Sequence, residues 1–134
     1  MKTMTAVMGI ATVLSLTGMS LRAGDGAWTG TGSGALTYWD EANWLDGQIA
    51  SGAGYSAYFT NALNPKIVLT NDVTLGYMQV HWPVAAGEVT FEGGSLTFQD
   101  GARAIRADNR KVNFRTVLRG SGGLTKIGNQ SFYP

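Results

Sequence analysis

From residue 24 onward, apolar and polar positions alternate with period two in short runs, and Gly, Asn or Asp closes each run. Side chains of a strand point alternately to its two faces, so this pattern predicts half-buried strands joined by tight turns. The expected runs are residues 55–59, 67–69, 73–80, 88–91, 96–98, 104–107, 112–118 and 124–127. Turns fall at Asn61, Asn64 and Pro65, at Asn71-Asp72, at 92–95 (EGGS), at 108–110 (DNR) and at 120–123 (GSGG). No stretch keeps a 3.6-residue apolar period long enough for a helix, so the fold class is all-β.

The runs also resemble one another. Val73-Thr74-Leu75, Val89-Thr90-Phe91 and Val112-Asn113-Phe114 repeat one apolar–polar–apolar triplet, and Gly94-Ser95-Leu96-Thr97 returns as Gly122-Gly123-Leu124-Thr125. Strands that return at comparable but irregular intervals suit a right-handed parallel β-helix, or solenoid, with passes of variable length. An antiparallel β-sandwich or jelly roll is the alternative, because its strands also recur at short spacing.

Positions 1–23 break the alternation. Met1-Lys2-Thr3 is basic, residues 4–19 are uncharged and largely apolar, and Ser20-Leu21-Arg22-Ala23 precedes Gly24. That order is the secretory signal-peptide pattern, with cleavage open between Ala23 and Ser20. A buried N-terminal helix is the competing reading, and Gly9, Gly18 and the β-branched residues make it a poor one. The apolar stretch falls short of the roughly 20 residues that span a bilayer.

Composition sharpens this picture. Glycine supplies 19 of 134 residues and there is no cysteine, so an exported domain would have to rely on burial, without disulfides. The near-neutral total charge conceals two unlike halves. Between Gly24 and Asp100 eight acids face Lys66 alone, and from Gly101 onward seven bases face Asp108 alone. A basic half can bind polyanions, but these bases sit at strand spacing among apolar residues. Solvated strand faces are the expectation, and nucleic acid is not an expected partner.

Candidate chemistry is sparse. His81, alone and without cysteine, makes a weak metal set and is expected at a turn after a strand. Gly30-Thr31-Gly32-Ser33-Gly34 has the glycine of a phosphate loop without the Lys-Ser/Thr that follows one. Asp40, Glu41 and Asp100 invite comparison with glycosidase carboxylates or calcium ligands, yet neighbours on a strand point apart. Asn129-Gln130-Ser131 matches a glycosylation sequon by pattern. No catalytic residue, metal site or cofactor is expected. Trp28, Trp39, Trp44 and Trp82, with Tyr38, Tyr55 and Tyr58, have two readings. They either plug the first turns of the fold as an aromatic cap or form a platform that stacks on sugar rings.

Two stretches carry a resemblance. Residues 27–30 (AWTG), 38–47 (YWDEANWLDG) and 52–59 (GAGYSAYF) look like an opening common in exported bacterial repeat proteins. Gly120, Ser121, Gly122, Gly123, Leu124, Thr125, Lys126 and Gly128 match in unbroken register the G-S-G-G-L-T-K-x-G core of the autotransporter-associated β-strand repeat. The resemblance implies a right-handed β-helix passenger region, displayed on or released from the surface of a diderm bacterium. Its motif residues have fold roles and none is catalytic. The chain then divides into a signal peptide (1–23), a Trp-rich opening and cap segment (24–66) and solenoid passes (67–134). It is expected to be either a fragment of a longer protein or the product of a truncated gene. The implied function is structural or adhesive and non-enzymatic, with an extracellular glycan or a host or neighbouring cell surface as partner. A small carbohydrate-binding β-domain is the alternative.

Overall fold

The computed structural model describes residues 22–31, 34–60, 66–81 and 87–129, together with the backbone of 132–133. Most of the expected signal peptide, the expected turn through Asn61, Asn64 and Pro65, and Trp82 lie outside the described residues. The strands are β1 (Gly26–Ala27), β2 (Ala35–Thr37), β3 (Ser56–Phe59), β4 (Lys66–Val68), β5 (Val73–Leu75), β6 (Tyr77–His81), β7 (Glu88–Phe98), β8 (Ala104–Asp108), β9 (Lys111–Gly120), β10 (Thr125–Ile127) and β11 (Phe132–Tyr133). Two single-turn 3-10 helices, Glu41–Asn43 and Leu45–Gly47, lie between β2 and β3. The protein is mostly β, in two sheets ordered β1-β3-β6-β8-β10 and β11-β9-β7-β4-β2, with β5 also on β7.

Every strand pair among the described residues is parallel. The antiparallel sandwich is therefore overturned. Antiparallel contact among the described residues is limited to two isolated bridges, Gly24 with Ser51 and Trp28 with Trp44. Parallel strands need crossover connections, and here the other sheet supplies them. The chain lays one strand in the first sheet, crosses to the second, and returns beside its own earlier strand. Along the first sheet Ser56 pairs with Tyr77, Tyr77 with Ala104 and Ala104 with Thr125, so the middle of these three passes is the longest.

Alternation determines what each pass buries. Ala57, Met78 and Ile105 align in register and are fully buried, as are Phe59, Val80 and Ala107. Facing them, Ile67, Phe91 and Phe114 align on the second sheet, with the Phe91 and Phe114 rings stacked at 5.6 Å. The edge-on contact between Phe59 and Phe91, 5.1 Å between centroids, joins the two inner faces. Each of the larger of these side chains contributes about 1.5–3 kcal/mol when fully buried, which fits a core that has no disulfide to support it.

Two glycine sites turn the passes. β7 is one strand bent at Gly93-Gly94, where the sequence pattern implies two strands and a turn. Both glycines have positive φ, and a Cβ on Gly94 would lie 2.7 Å from the Asn71 carbonyl oxygen and 2.8 Å from that of Leu69. The expected run 73–80 is, by contrast, split at Gly76, which sends β5 and β6 to different sheets. A Cβ on Gly76 would lie 2.5 Å from the Gly54 Cα, and one on Gly101 would lie 3.3 Å from the Gly76 Cα. Gly54, Gly76 and Gly101 thus stack backbone on backbone at one corner.

Register also sorts the internal resemblances. Val89-Thr90-Phe91 does lie against Val112-Asn113-Phe114, but Val73-Thr74-Leu75 lies against Leu96-Thr97-Phe98. Gly94–Thr97 and Gly122–Thr125 do not stack, because Leu96 pairs with Leu118 and Thr125 with Ala104, in different sheets.

Candidate functional site

The tryptophans divide sharply. Trp28 and Trp44 are 1% and 3% exposed and meet edge to face at 5.2 Å. Trp44 also packs on Tyr38 at 4.9 Å, and both indoles lie 5.7 Å from the Phe59 ring. Their polar edges are satisfied internally: Trp28 Nε1 donates to the Gly30 carbonyl at 3.0 Å and Trp44 Nε1 to that of Tyr38 at 2.6 Å. The Tyr38 hydroxyl donates to the Ala50 carbonyl at 2.7 Å, and burial pushes its pKa well above the ordinary value. Trp28 and Trp44 offer no ring face to a sugar, because the core occupies both. Trp39 is half-buried against Tyr38 and the edge of the core.

The segment that carries these rings is folded by its own polar residues. Asp40 caps the first 3-10 turn by accepting from the Ala42 amide at 3.0 Å. Asn43 Nδ2 donates to the Thr37 carbonyl at 3.0 Å, and the Asn43 carbonyl accepts from the amides of Thr29 and Gly30. The segment returns antiparallel along β1 through the Trp28–Trp44 bridge and so covers that edge of the first sheet.

The GSGGLTKIG stretch occupies the corner between β9 and β10. Gly122, Gly123 and Gly128 have φ of 80°, 93° and 98°. A Cβ on Gly128 would overlap the Ala107 carbonyl oxygen and the Asp108 carboxylate. Gly120 lies at the end of β9 without a positive φ. The corner is fixed to the pass below it: Arg103 Nη1 donates to the Ser121 carbonyl at 2.8 Å, and the Thr125 amide to that of Arg103 at 3.0 Å. Leu124 packs against the core, while Thr125, Lys126 and Ile127 are exposed.

A further group of side chains, of which the sequence singled out Tyr58 and His81 but not Tyr77, Gln79 or Arg106, is gathered on the outer face of the first sheet. Tyr58, Gln79 and Arg106 align across β3, β6 and β8, and Tyr77 and His81 flank Gln79 at period two. The Tyr58 and Tyr77 rings meet at 6.4 Å, and the Tyr77 hydroxyl donates to Gln79 Oε1 at 3.4 Å. Arg106 Nε donates to Asp108 Oδ2, and the guanidinium also reaches the Tyr77 hydroxyl. Partial burial raises the Tyr77 pKa, which keeps the phenol protonated. The Arg106 hydrogen bond holds the Asp108 carboxyl below its usual range, and an amide hydrogen bond from Asn129 adds to the effect. His81 Nδ1 stands 4.0 Å from the same carboxylate oxygen. The outward positions could be read from alternation, but their convergence depends on passes of unequal length, which no local signal gives.

The remaining candidates stay apart. Asp100 lies in a left-handed turn with φ of 59°, and Asn129 bonds to Asn109, its Oδ1 accepting from the Asn109 amide at 3.0 Å. Among the described residues no group of three or more His, Cys, Asp or Glu side chains is placed to hold a metal, and no helix is long and apolar enough to cross a membrane. No family model, curated protein or solved structure matches the chain.

Proposed function

We propose that the chain is a right-handed β-solenoid segment of an exported bacterial protein, a structural or adhesive part of the passenger type with no catalysis of its own. The observation that carries this reading is the coincidence of motif and pass. The GSGGLTKIG stretch spans a corner and the strand after it, and every strand lies parallel to one a single pass away. A repeat unit of that kind needs a neighbour on each side to complete its core. The buried aromatic cluster on the first pass supports the cap reading of Trp28 and Trp44, since a covered edge protects a stack of parallel strands from pairing with other chains. The basic n-region and uncharged apolar stretch before Gly24 support export.

Expression of the full chain in a diderm bacterium, followed by fractionation and N-terminal mass spectrometry, tests the reading. The expected result is protein outside the inner membrane whose N-terminus begins at Leu21 or Gly24. Full-length protein retained in the cytoplasm would overturn it.

A further inference from the structure

We propose that copies of this chain stack head to tail, the first pass of one molecule against the last pass of the next. The two ends of the stack differ in charge. Residues 24–52, which hold β1, β2 and the segment folded over β1, carry Asp25, Asp40, Glu41 and Asp46, all exposed, and no base. Residues 111–129, which hold β9 and β10, carry Lys111, Arg115, Arg119 and Lys126, all exposed, and no acid. The passes between them are nearly balanced, with five acids and four bases over residues 53–110. β1 and β10 lie at opposite edges of the five-stranded first sheet, about 19 Å apart at the usual strand spacing. That exceeds the Debye length of about 8 Å at physiological salt, so neither end neutralises the other. On the basic end, Lys111 and Arg115 lie opposite Glu88 and Glu92 of β7, but Glu92 pairs with Lys66 at 3.1 Å. Arg119 lies opposite Thr97, and neither Arg115 nor Arg119 joins a salt bridge among the described residues.

Each end also exposes aliphatic side chains among its charges. Leu45 is 55% exposed beside Asp46 in the segment that covers β1. Val117 is 53% exposed between Arg115 and Arg119 at period two, and Ile127, next to Lys126, is 42% exposed. Single exposed aliphatics are ordinary on a protein surface. Here three of the four large apolar side chains exposed among the described residues fall on the two ends. The basic end is open in its backbone as well. Among the described residues β10 pairs only with β8, and beyond Asn113 β9 pairs only with β7. An edge of that kind invites another chain. Charge then selects the pairing. Tail on tail sets Arg115 and Arg119 against themselves, and head on head sets carboxylate against carboxylate. Only head on tail joins opposite signs while covering the aliphatic side chains of both ends. Such a contact uses two different patches, so each added copy presents a new end and growth does not stop at two.

Sedimentation velocity of the full chain over a concentration series tests the proposal. The average mass should climb with concentration through no fixed oligomer, and assembly should weaken as salt rises from about 0.05 to 0.5 M. Leu45→Ser and Val117→Ser should each weaken assembly about tenfold, the scale of burying the exposed part of an aliphatic side chain. Each disables a different end, so the two variants mixed in equal amounts should form a dimer and little beyond it. Glu41→Gln should weaken assembly about fivefold, whereas Asp100→Asn, the same charge removed from a middle pass, should change it less than about twofold. All four positions are exposed, and circular dichroism establishes that each variant folds. The proposal is overturned if the parent chain stays a monomer, if it stops at a dimer, or if the mixture forms none. It is equally overturned if Asp100→Asn matches Glu41→Gln, or if the serine variants assemble as the parent does, which is the result expected of association through the apolar residues 4–19. None of these outcomes depends on where the chain is delivered, so the export experiment and this one fail independently.

Discussion

Replacing Trp44 with alanine tests whether the aromatic cluster holds the fold together or waits for a ligand. The indole is almost fully buried among Trp28, Tyr38 and Phe59, and its Nε1 supplies a hydrogen bond to the Tyr38 carbonyl. Truncating a buried tryptophan costs about 3–5 kcal/mol in lost transfer and residual cavity. A carbonyl left without its donor adds about 1 kcal/mol or more where water cannot reach it. The expected loss is therefore about 4–6 kcal/mol, a large part of the 5–15 kcal/mol that holds a typical domain. Urea titration followed by far-UV circular dichroism measures it without relying on the tryptophan signal. With a slope of about 2 kcal/mol per molar, the midpoint should fall by about 2–3 M, or the variant should be unfolded in buffer. Trp44→Phe keeps most of the ring packing and gives up the N–H donor, so about 1–3 kcal/mol is expected. A loss below about 1 kcal/mol for Trp44→Ala would refute the reasoning, because no packed core tolerates that truncation so cheaply.

Three further outcomes follow from the geometry. Trp39→Ala, at a half-buried ring, should lower stability by clearly less than Trp44→Ala in the same titration. Gly94→Ala places a methyl group against two carbonyl oxygens in a left-handed backbone and should cost about 2 kcal/mol or more, whereas Gly34→Ala, with open space around it, should stay within about 0.5 kcal/mol. The third concerns pH: Arg106 depresses the Asp108 pKa, so the stabilisation is complete above the ordinary value of 3.8 and is lost as pH falls through the lower folded value. Asp108→Asn should remove that acid-side slope from a series of melts below about pH 5 while leaving the neutral-side slope unchanged.

Much of the first sheet was legible because its strands obey simple alternation. Run 104–107 needs only Asp108 added and 55–59 a trim at Tyr55, whereas 124–127 loses Leu124 and leaves all of β10 exposed. The second sheet was harder, because Gly93-Gly94 and Gly76 look alike as turn residues in a sequence. One bends a continuous strand by accepting a left-handed backbone; the other sends the chain to a different sheet where backbones nearly touch. The tryptophans were visible as a group but not their exposure, which depends on residues 38–47 folding back over β1. The alignment of Tyr58 with Gln79 and Arg106 was invisible for a related reason. Its members sit on successive passes of unequal length, and pass length depends on how much chain each crossover takes up.

The parallel register has a consequence for how such a chain can change in length. Duplicating the whole pass 77–103 would copy β6 and β7 together and present every side chain to the face it already occupies. Losing a single residue between Gly94 and Leu96 would turn Leu96 and Phe98 outward and carry Thr97 into the core. Variation by whole passes is therefore nearly neutral to the fold, and variation by single residues within a strand is not. Length differences among descendants of this gene should come in steps of one complete pass, with shorter insertions confined to the crossovers.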